Sequence, residues 1–153
     1  ENVHTKDVTT EFGEFKLKVW RDVIFDEYHF SLTKGSPEKV DVPMVRVQTQ
    51  SVLQDTLGID EIGKKWSIRK SLQKIADEGT GVFVLINHRD AKTYWLSNLK
   101  DENIEPKRNR RVIGIGSQIL RAIGLNKIKV LGTPTKYSGL SGFNIEIEGF
   151  IDE

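Results

Sequence analysis

Cysteine is absent from the 153 residues of this chain. Without thiols there are no disulfides, and no thiolates to hold a metal. The absence fits a cytosolic protein, and a cytoplasmic location is the expectation. A long apolar run is also missing: nothing approaches the ~20 consecutive apolar residues that a membrane helix needs, so a membrane partner is not expected. The first residues are charged and polar, without the apolar core of a signal peptide. Strong net charge is lacking too. Lys and Arg number 23 and Asp and Glu 22, a formal balance of +1. Such a balance does not demand a nucleic-acid partner, and argues against one. The chain opens on Glu1 rather than Met, which reads as a piece of something longer or as a product of how the chain was expressed.

What is present is enough for one ordinary domain with a real core. Hydrophobic residues make up 37% and charged residues 29%, a globular rather than a disordered composition. The organising stretch runs from Pro43 to Ile86 and reads strand, long loop, helix, strand. Pro43 to Thr49 is a strand with apolar Met44, Val45 and Val47. A helix from about Lys65 to Glu78 places Ile68, Leu72, Ile75 and Ala76 on one face, with Gly79 positioned to end it. Val82 to Ile86 is a continuous apolar run, as in a strand buried on both faces.

Before this unit, residues 1–11 are polar and read as a linker or a loose first strand, and 1–9 are assigned as linker. Phe15, Leu17 and Val19 alternate with Lys16, Lys18 and Trp20, a half-buried strand. Arg21 to Glu27 reads as a turn-rich connection, and Tyr28 to Lys34 as a second strand ending at Gly35-Ser36-Pro37. After the unit, Asn87 to Arg111 shows no clear periodicity and reads as a surface excursion. Val112 to Ile123 carries a stripe of Val112, Ile115, Ile119, Leu120 and Ile123, a second helix whose first turn Gly114 and Gly116 weaken. Lys127 to Leu131 and Asn144 to Ile151 read as late strands. The expected class is α/β: a mixed sheet, antiparallel at its N-terminal end, with helices packed on it.

Several stretches, in order, resemble the GTP cyclohydrolase II family, enzymes that open the guanine ring of GTP in riboflavin biosynthesis. Thr10 to Phe15 looks like that family's opening strand. Val45-Arg46-Val47 looks like the start of its R-V-H-S-E-C stretch. Ile75 to Val82 (IADEGTGV) is similar to its I-A-x-E-G-x-G segment, and Ile113 to Leu120 (IGIGSQIL) to its Y-G-I-G-x-Q-I-L helix. Leu125 to Leu131 and Gly139 to Phe143 follow in family order, so residues 10–153 are assigned to one domain of this kind.

The departures fall on the chemistry. The family holds zinc through cysteines, one closing R-V-H-S-E-C and two in a C-x-C pair. Here they align with Ser51, Ile62 and Lys64, none of which replaces a thiolate on zinc. His, Ser and Glu of the motif become Gln48, Thr49 and Gln50, and R-Q-E-G-R becomes Asn87 to Ala91. A family segment that includes a catalytic tyrosine is shortened to Lys92–Arg108. Arg111 aligns with the family's catalytic arginine, and the neighbouring aspartate base then becomes Asn109, which accepts no proton at neutral pH. The resemblance therefore implies a degenerate, non-catalytic domain without a cofactor of its own. It also implies a homodimer and an upstream 3,4-dihydroxy-2-butanone 4-phosphate synthase domain, where any magnesium would belong.

Residue by residue, bland readings compete with functional ones. Lys107, Arg108, Arg110 and Arg111 suit the phosphates of GTP or another phosphorylated metabolite, against the commoner solvated charge run. Arg46 has a similar claim. Gly132 to Lys136 aligns with a family T-N-N-P-K segment but also reads as a plain turn. His4 lies in the assigned linker, and His29, within a strand, reads as packing or exposed. His88, Asp90 and Asp55 are a weak candidate metal set, which with Arg111 would suit the alternative of an enzyme still acting on GTP or another nucleotide, and no metal site is assigned. Trp66, Tyr94 and Trp95 suit base stacking or, by default, packing.

Overall fold

A computed structural model describes residues 1–59, 66–87, 105–132 and 144–152, with side chains from residue 111 onward in the third segment. Among these residues seven strands form one sheet: β1 (Asn2–Thr10), β2 (Gly13–Asp22), β3 (Glu27–Lys34), β4 (Met44–Thr49), β5 (Gly81–Ile86), β6 (Lys127–Leu131) and β7 (Glu146–Ile151). Their spatial order is β1-β2-β3-β5-β4-β6-β7. The pairs β1–β2, β2–β3 and β3–β5 are antiparallel, whereas β5–β4, β4–β6 and β6–β7 are parallel. The mixed sheet expected from the sequence is therefore found, with its antiparallel part at the N-terminal end.

Among the described residues two α-helices cover it, α1 (Ile68–Glu78) and α2 (Glu105–Ile123). Leu72 and Ile75 of α1 pack with Phe15, Met44, Trp66, Phe83 and Leu131. Ile119 and Leu120 of α2 pack with Trp20, Val45, Val82, Val84 and Ile86. Alternate residues of β4 and β5 thus feed opposite clusters, so the helices lie on opposite faces of the sheet. Each buried aliphatic side chain contributes roughly 1.5–3 kcal/mol, and both faces of the central strands collect it. That explains the uninterrupted apolar run in β5.

Local chemistry sets the ends of α1. The Ser67 hydroxyl accepts the Lys70 N–H at 3.1 Å, and the Asp55 carboxylate accepts the Ile68 N–H at 3.3 Å, so two orphan donors of the first turn are satisfied. Gly79 closes the helix at φ +82°, a left-handed conformation that costs glycine nothing, and its N–H bonds to Ile75 and Ala76 carbonyls. Trp20 buries its indole on the α2 face of β2 because Nε1 donates to the Ser31 hydroxyl at 2.9 Å.

Two boundaries differ from the sequence reading. Residues assigned as linker, but also read as a loose first strand, form that strand, β1, paired with β2 from Asn2↔Trp20 to Thr10↔Gly13 with one irregularity. The strand is nearly all exposed, so it has no apolar face for periodicity to reveal. Helix α2 starts at Glu105, not Val112. Its first seven residues are polar and include Pro106, which the first turn tolerates because that N–H has no helical acceptor anyway. The excursion read over Asn87 to Arg111 thus ends in helix, and residues 88–104 of it lie outside the described residues. No described helix is long and apolar enough to cross a membrane.

Gly114 and Gly116, read as weakening α2, are both buried. At Gly116 a Cβ would stand 2.7 Å from Val47 Cγ1, so the missing side chain lets α2 approach β4. Gly116→Ala gains roughly 1 kcal/mol of helix preference but incurs about 1–3 kcal/mol of overpacking against a stiff β-branched side chain. A net loss of about 1 kcal/mol in urea unfolding is expected. Val47→Ala should make the same glycine substitution neutral or stabilising, and strict additivity of the two would refute the contact.

Candidate functional site

The C-terminal ends of β4 and β5 lie beside the N-terminal end of antiparallel β3, and α2 crosses the same face. Register places Trp20 opposite His29 and Asp22 opposite Glu27, so these four side chains share the α2 face of the β2–β3 hairpin. There Glu27 (6% exposed) forms an ion pair with Arg111 of α2. The Arg111 guanidinium also lies 4.1 Å from the centre of the Phe25 ring. Its Nε is buried and has no acceptor among the described residues.

Donor atoms of Asp22, Glu27 and His29 all lie within 4.8 Å of one another, a composition that suits a divalent cation. The hydrogen bonds point elsewhere. The Asn87 N–H donates to His29 Nδ1 at 3.0 Å, so the neutral imidazole carries its proton on Nε2. That nitrogen then offers an N–H, not a lone pair for a metal. Glu27 is engaged by Arg111, and Asp22 Oδ1 accepts the N–H groups of Ile24 (2.9 Å) and Phe25 (3.3 Å). The group is a polar network that ties the hairpin to β5 and α2.

Arg46 lies on the other face. It is 8% exposed, and it donates from Nε to Gln48 Oε1 (2.7 Å), from Nη1 to the Leu131 carbonyl (2.9 Å) and from Nη2 to the Trp66 carbonyl (3.2 Å). It clamps the ends of β4 and β6 to the approach of α1. Trp66 is buried, and its Nε1 donates to the Ile151 carbonyl at 3.1 Å, so its role is packing. Arg46 and Arg111, paired as phosphate candidates by the sequence, are separated by the sheet.

Between β4 and α1, Val52–Thr56 form a short π-helical turn. The Ser51 hydroxyl accepts the Gln54 N–H at 3.3 Å, and Asp55 Oδ2 accepts the Ser51 N–H at 2.8 Å. Asp55, considered as a metal ligand, thus spends both carboxylate oxygens on backbone donors, at Ser51 and Ile68. The zinc implied by the resemblance does not fit this donor set: a neutral hydroxyl that caps a turn stands where a thiolate is needed. Ile62, Lys64, His88, Asp90, Tyr94, Trp95 and Gly139 to Phe143 lie outside the described residues. Lys107, Arg108 and Arg110 fall in the first turns of α2, their side chains outside the description.

Glu27 was not singled out by the sequence, because it follows an irregular stretch and looks solvated. Its signal is register: an acid opposite Asp22, two residues from a buried His–Trp pair.

The model of the GTP cyclohydrolase II family matches residues 1–152. A 3,4-dihydroxy-2-butanone 4-phosphate synthase of Pseudomonas aeruginosa is 29% identical over 99% of this chain and 43% of its own length. The riboflavin biosynthesis protein RibBA of Cytophaga hutchinsonii is 30% identical over 92% of this chain and 38% of its own length. The crystal structure of RibBX, a two-domain 3,4-dihydroxy-2-butanone 4-phosphate synthase from A. baumannii, superimposes with a TM-score of 0.67 and 27% identity, over 100% of this chain and 40% of that one. The chain thus spans less than half the length of these relatives.

Arg111→Met should leave Glu27 buried beside an uncharged neighbour and lower stability by about 1–3 kcal/mol, since the arginine is part exposed. Glu27→Gln with Arg111→Met should lose clearly less than the two single losses together. Urea titrations of all four proteins measure this, and a coupling near zero would show that the pair holds nothing in place.

Proposed function

Because this chain belongs to the GTP cyclohydrolase II family, we propose that it serves riboflavin biosynthesis as a non-catalytic domain, with the family's fold but without its ring-opening chemistry. Its role on this reading is structural or regulatory, toward a 3,4-dihydroxy-2-butanone 4-phosphate synthase domain in the same polypeptide. The names of the longer relatives support that association.

The observation that carries the reading is Ser51. Hydrolytic opening of a purine needs a strong nucleophile, and in this family the resemblance implies a zinc-activated water. The three aligned ligand positions hold Ser51, Ile62 and Lys64, and the Ser51 hydroxyl is occupied by the Gln54 N–H. An alcohol, an aliphatic chain and an ammonium do not make a zinc site. Asn109 in place of an acid removes the aligned base as well. Arg111, the aligned catalytic arginine, is vestigial on this reading and serves as the ion-pair partner of Glu27.

Phosphate binding is a second reading for the basic run, favoured by one observation. Lys107, Arg108 and Arg110 lie in the first turns of α2, where the positive end of the helix dipole adds to their attraction for an anion. Arg46 is left out, since its donors serve the protein. A homodimer in the cytoplasm, with any magnesium bound by the synthase domain, completes the proposal.

The test is GTP turnover in the presence of magnesium and added zinc, followed by formate release and the ring-opened product, beside an active cyclohydrolase II. No product above the blank is expected. Removing this domain from the longer polypeptide should change synthase kcat/KM. Product that survives repurification and is lost in Arg111→Ala would overturn the reading.

A further inference from the structure

The turn between β2 and β3 is built from the wrong residues for a turn. Val23, Ile24 and Phe25 are consecutive, apolar and 63%, 83% and 47% exposed, and Tyr28 beside them is 44% exposed. Tight turns favour Gly, Asn, Asp and Ser, and while Phe25 carries the Arg111 guanidinium, turn chemistry does not ask for Val23 and Ile24 here. The turn is nevertheless firmly made. The Asp22 carboxylate accepts the Ile24 and Phe25 N–H groups, and Arg21 holds Asp26 through Nε and Nη2 at 3.1 and 3.0 Å. The apolar side chains are thus presented to solvent by a defined backbone.

Beside the tip, between the hairpin and α2, is a cavity of about 210 Å³. Its apolar wall comes from Trp20, Val23, Ile24, Ile115 and Ile119, with Asp22, His29 and Gln118 among its polar lining. That is smaller than the roughly 300–1,000 Å³ of small-molecule sites, and of the order that one large side chain fills. Apolar knobs around an apolar hole form a protein-docking surface rather than a metabolite site.

The two-domain reading supplies the occupant, and the backbone next to the tip supports it. Glu1 lies alongside Arg21: the Glu1 nitrogen donates to the Arg21 carbonyl at 3.2 Å, and the Arg21 N–H donates to the Glu1 carbonyl at 2.8 Å. Glu1 also lines the cavity. In a longer polypeptide its nitrogen would remain a donor, so this pairing would survive, and the preceding chain would leave from beside the apolar tip. Each residue of that connection spans at most ~3.6 Å, so a folded unit joined there by a short connection is delivered to this surface. High effective concentration then allows a small apolar contact to close.

We propose that the Val23–Ile24–Phe25 tip and the adjoining cavity are the docking surface for the folded domain joined on the amino-terminal side of Glu1, which inserts an apolar side chain between the hairpin and α2. The inference rests on the two-domain reading above and names the contact through which the domains communicate. Docking there bears on Phe25 and Glu27, and so on the Arg111 ion pair at the end of α2.

Amide hydrogen exchange on the complete encoded polypeptide tests it, compared with the 153-residue chain and with Ile24→Asp in the complete polypeptide. Ile24 is 83% exposed, so the substitution leaves the core alone. Exchange at Val23, Ile24 and Phe25 should be at least about tenfold slower in the complete polypeptide than in the shorter chain, and Ile24→Asp should remove most of that protection. Equal exchange in the complete polypeptide and the shorter chain would overturn the docking surface while leaving the two-domain reading intact. An encoded polypeptide whose intact mass holds no preceding domain would overturn both. Protection that appears in the shorter chain and grows with its concentration would identify a second copy as the occupant and overturn the proposal.

Discussion

Burial of β5 on both faces is the constraint from which the architecture follows. Val82, Val84 and Ile86 feed one cluster and Phe83 the other, so the strand needs cover above and below. A single helix cannot supply it. Helix α1, which returns the chain from β4 to β5, covers one face, and α2 covers the other. Parallel pairing of β4 with β5 follows from the crossover through α1, and antiparallel β3 completes the other edge of β5. The C-terminal ends of β4 and β5 and the N-terminal end of β3 are brought together as a consequence. The polar network of Asp22, Glu27, His29 and Arg111 occupies that junction, at the place where the sheet changes from parallel to antiparallel.

Polar residues on both faces of the sheet hold the protein together. Arg46 donates to one side chain and two backbone carbonyls, Asp55 accepts two backbone N–H groups, and His29 accepts the N–H of Asn87. Each satisfies groups that burial would otherwise leave unpaired at a cost of about 1–3 kcal/mol. An arginine beside a strand end and an acid in a loop look from sequence like ligand-binding groups. Leu131 and Trp66 for Arg46, and Ile68 for Asp55, are backbone partners distant in the chain, and sequence does not display those. Ends of strands are where α/β proteins commonly hold ligands, and here the described polar side chains of these ends bond to the scaffold.

The β2–β3 hairpin joins these themes. One face contributes Trp20, Glu27 and His29 to the interior, while its tip exposes Val23, Ile24 and Phe25 beside the N-terminal residue. Phe25 connects the two, since its ring carries the Arg111 guanidinium. A contact at the tip is therefore mechanically adjacent to the part-buried ion pair, without passing through the core.

By itself the sequence determined the class of the fold, the apolar faces of α1 and the second half of α2, the doubly buried β5 and the missing thiolates. All of these are properties of composition or of short periodic patterns, which act locally and survive without knowledge of any partner. It did not determine β1, whose exposed residues show no apolar alternation, nor the first turns of α2, where polar residues hide the period. Only the tertiary structure decided that Arg46 and Arg111 lie on opposite faces, that Glu27 is buried against Arg111, and that Gly116 exists to admit Val47. Those facts depend on strand register and on which helix covers which face. Both are set by pairings between segments distant in the chain, and so no single stretch of the sequence contains them.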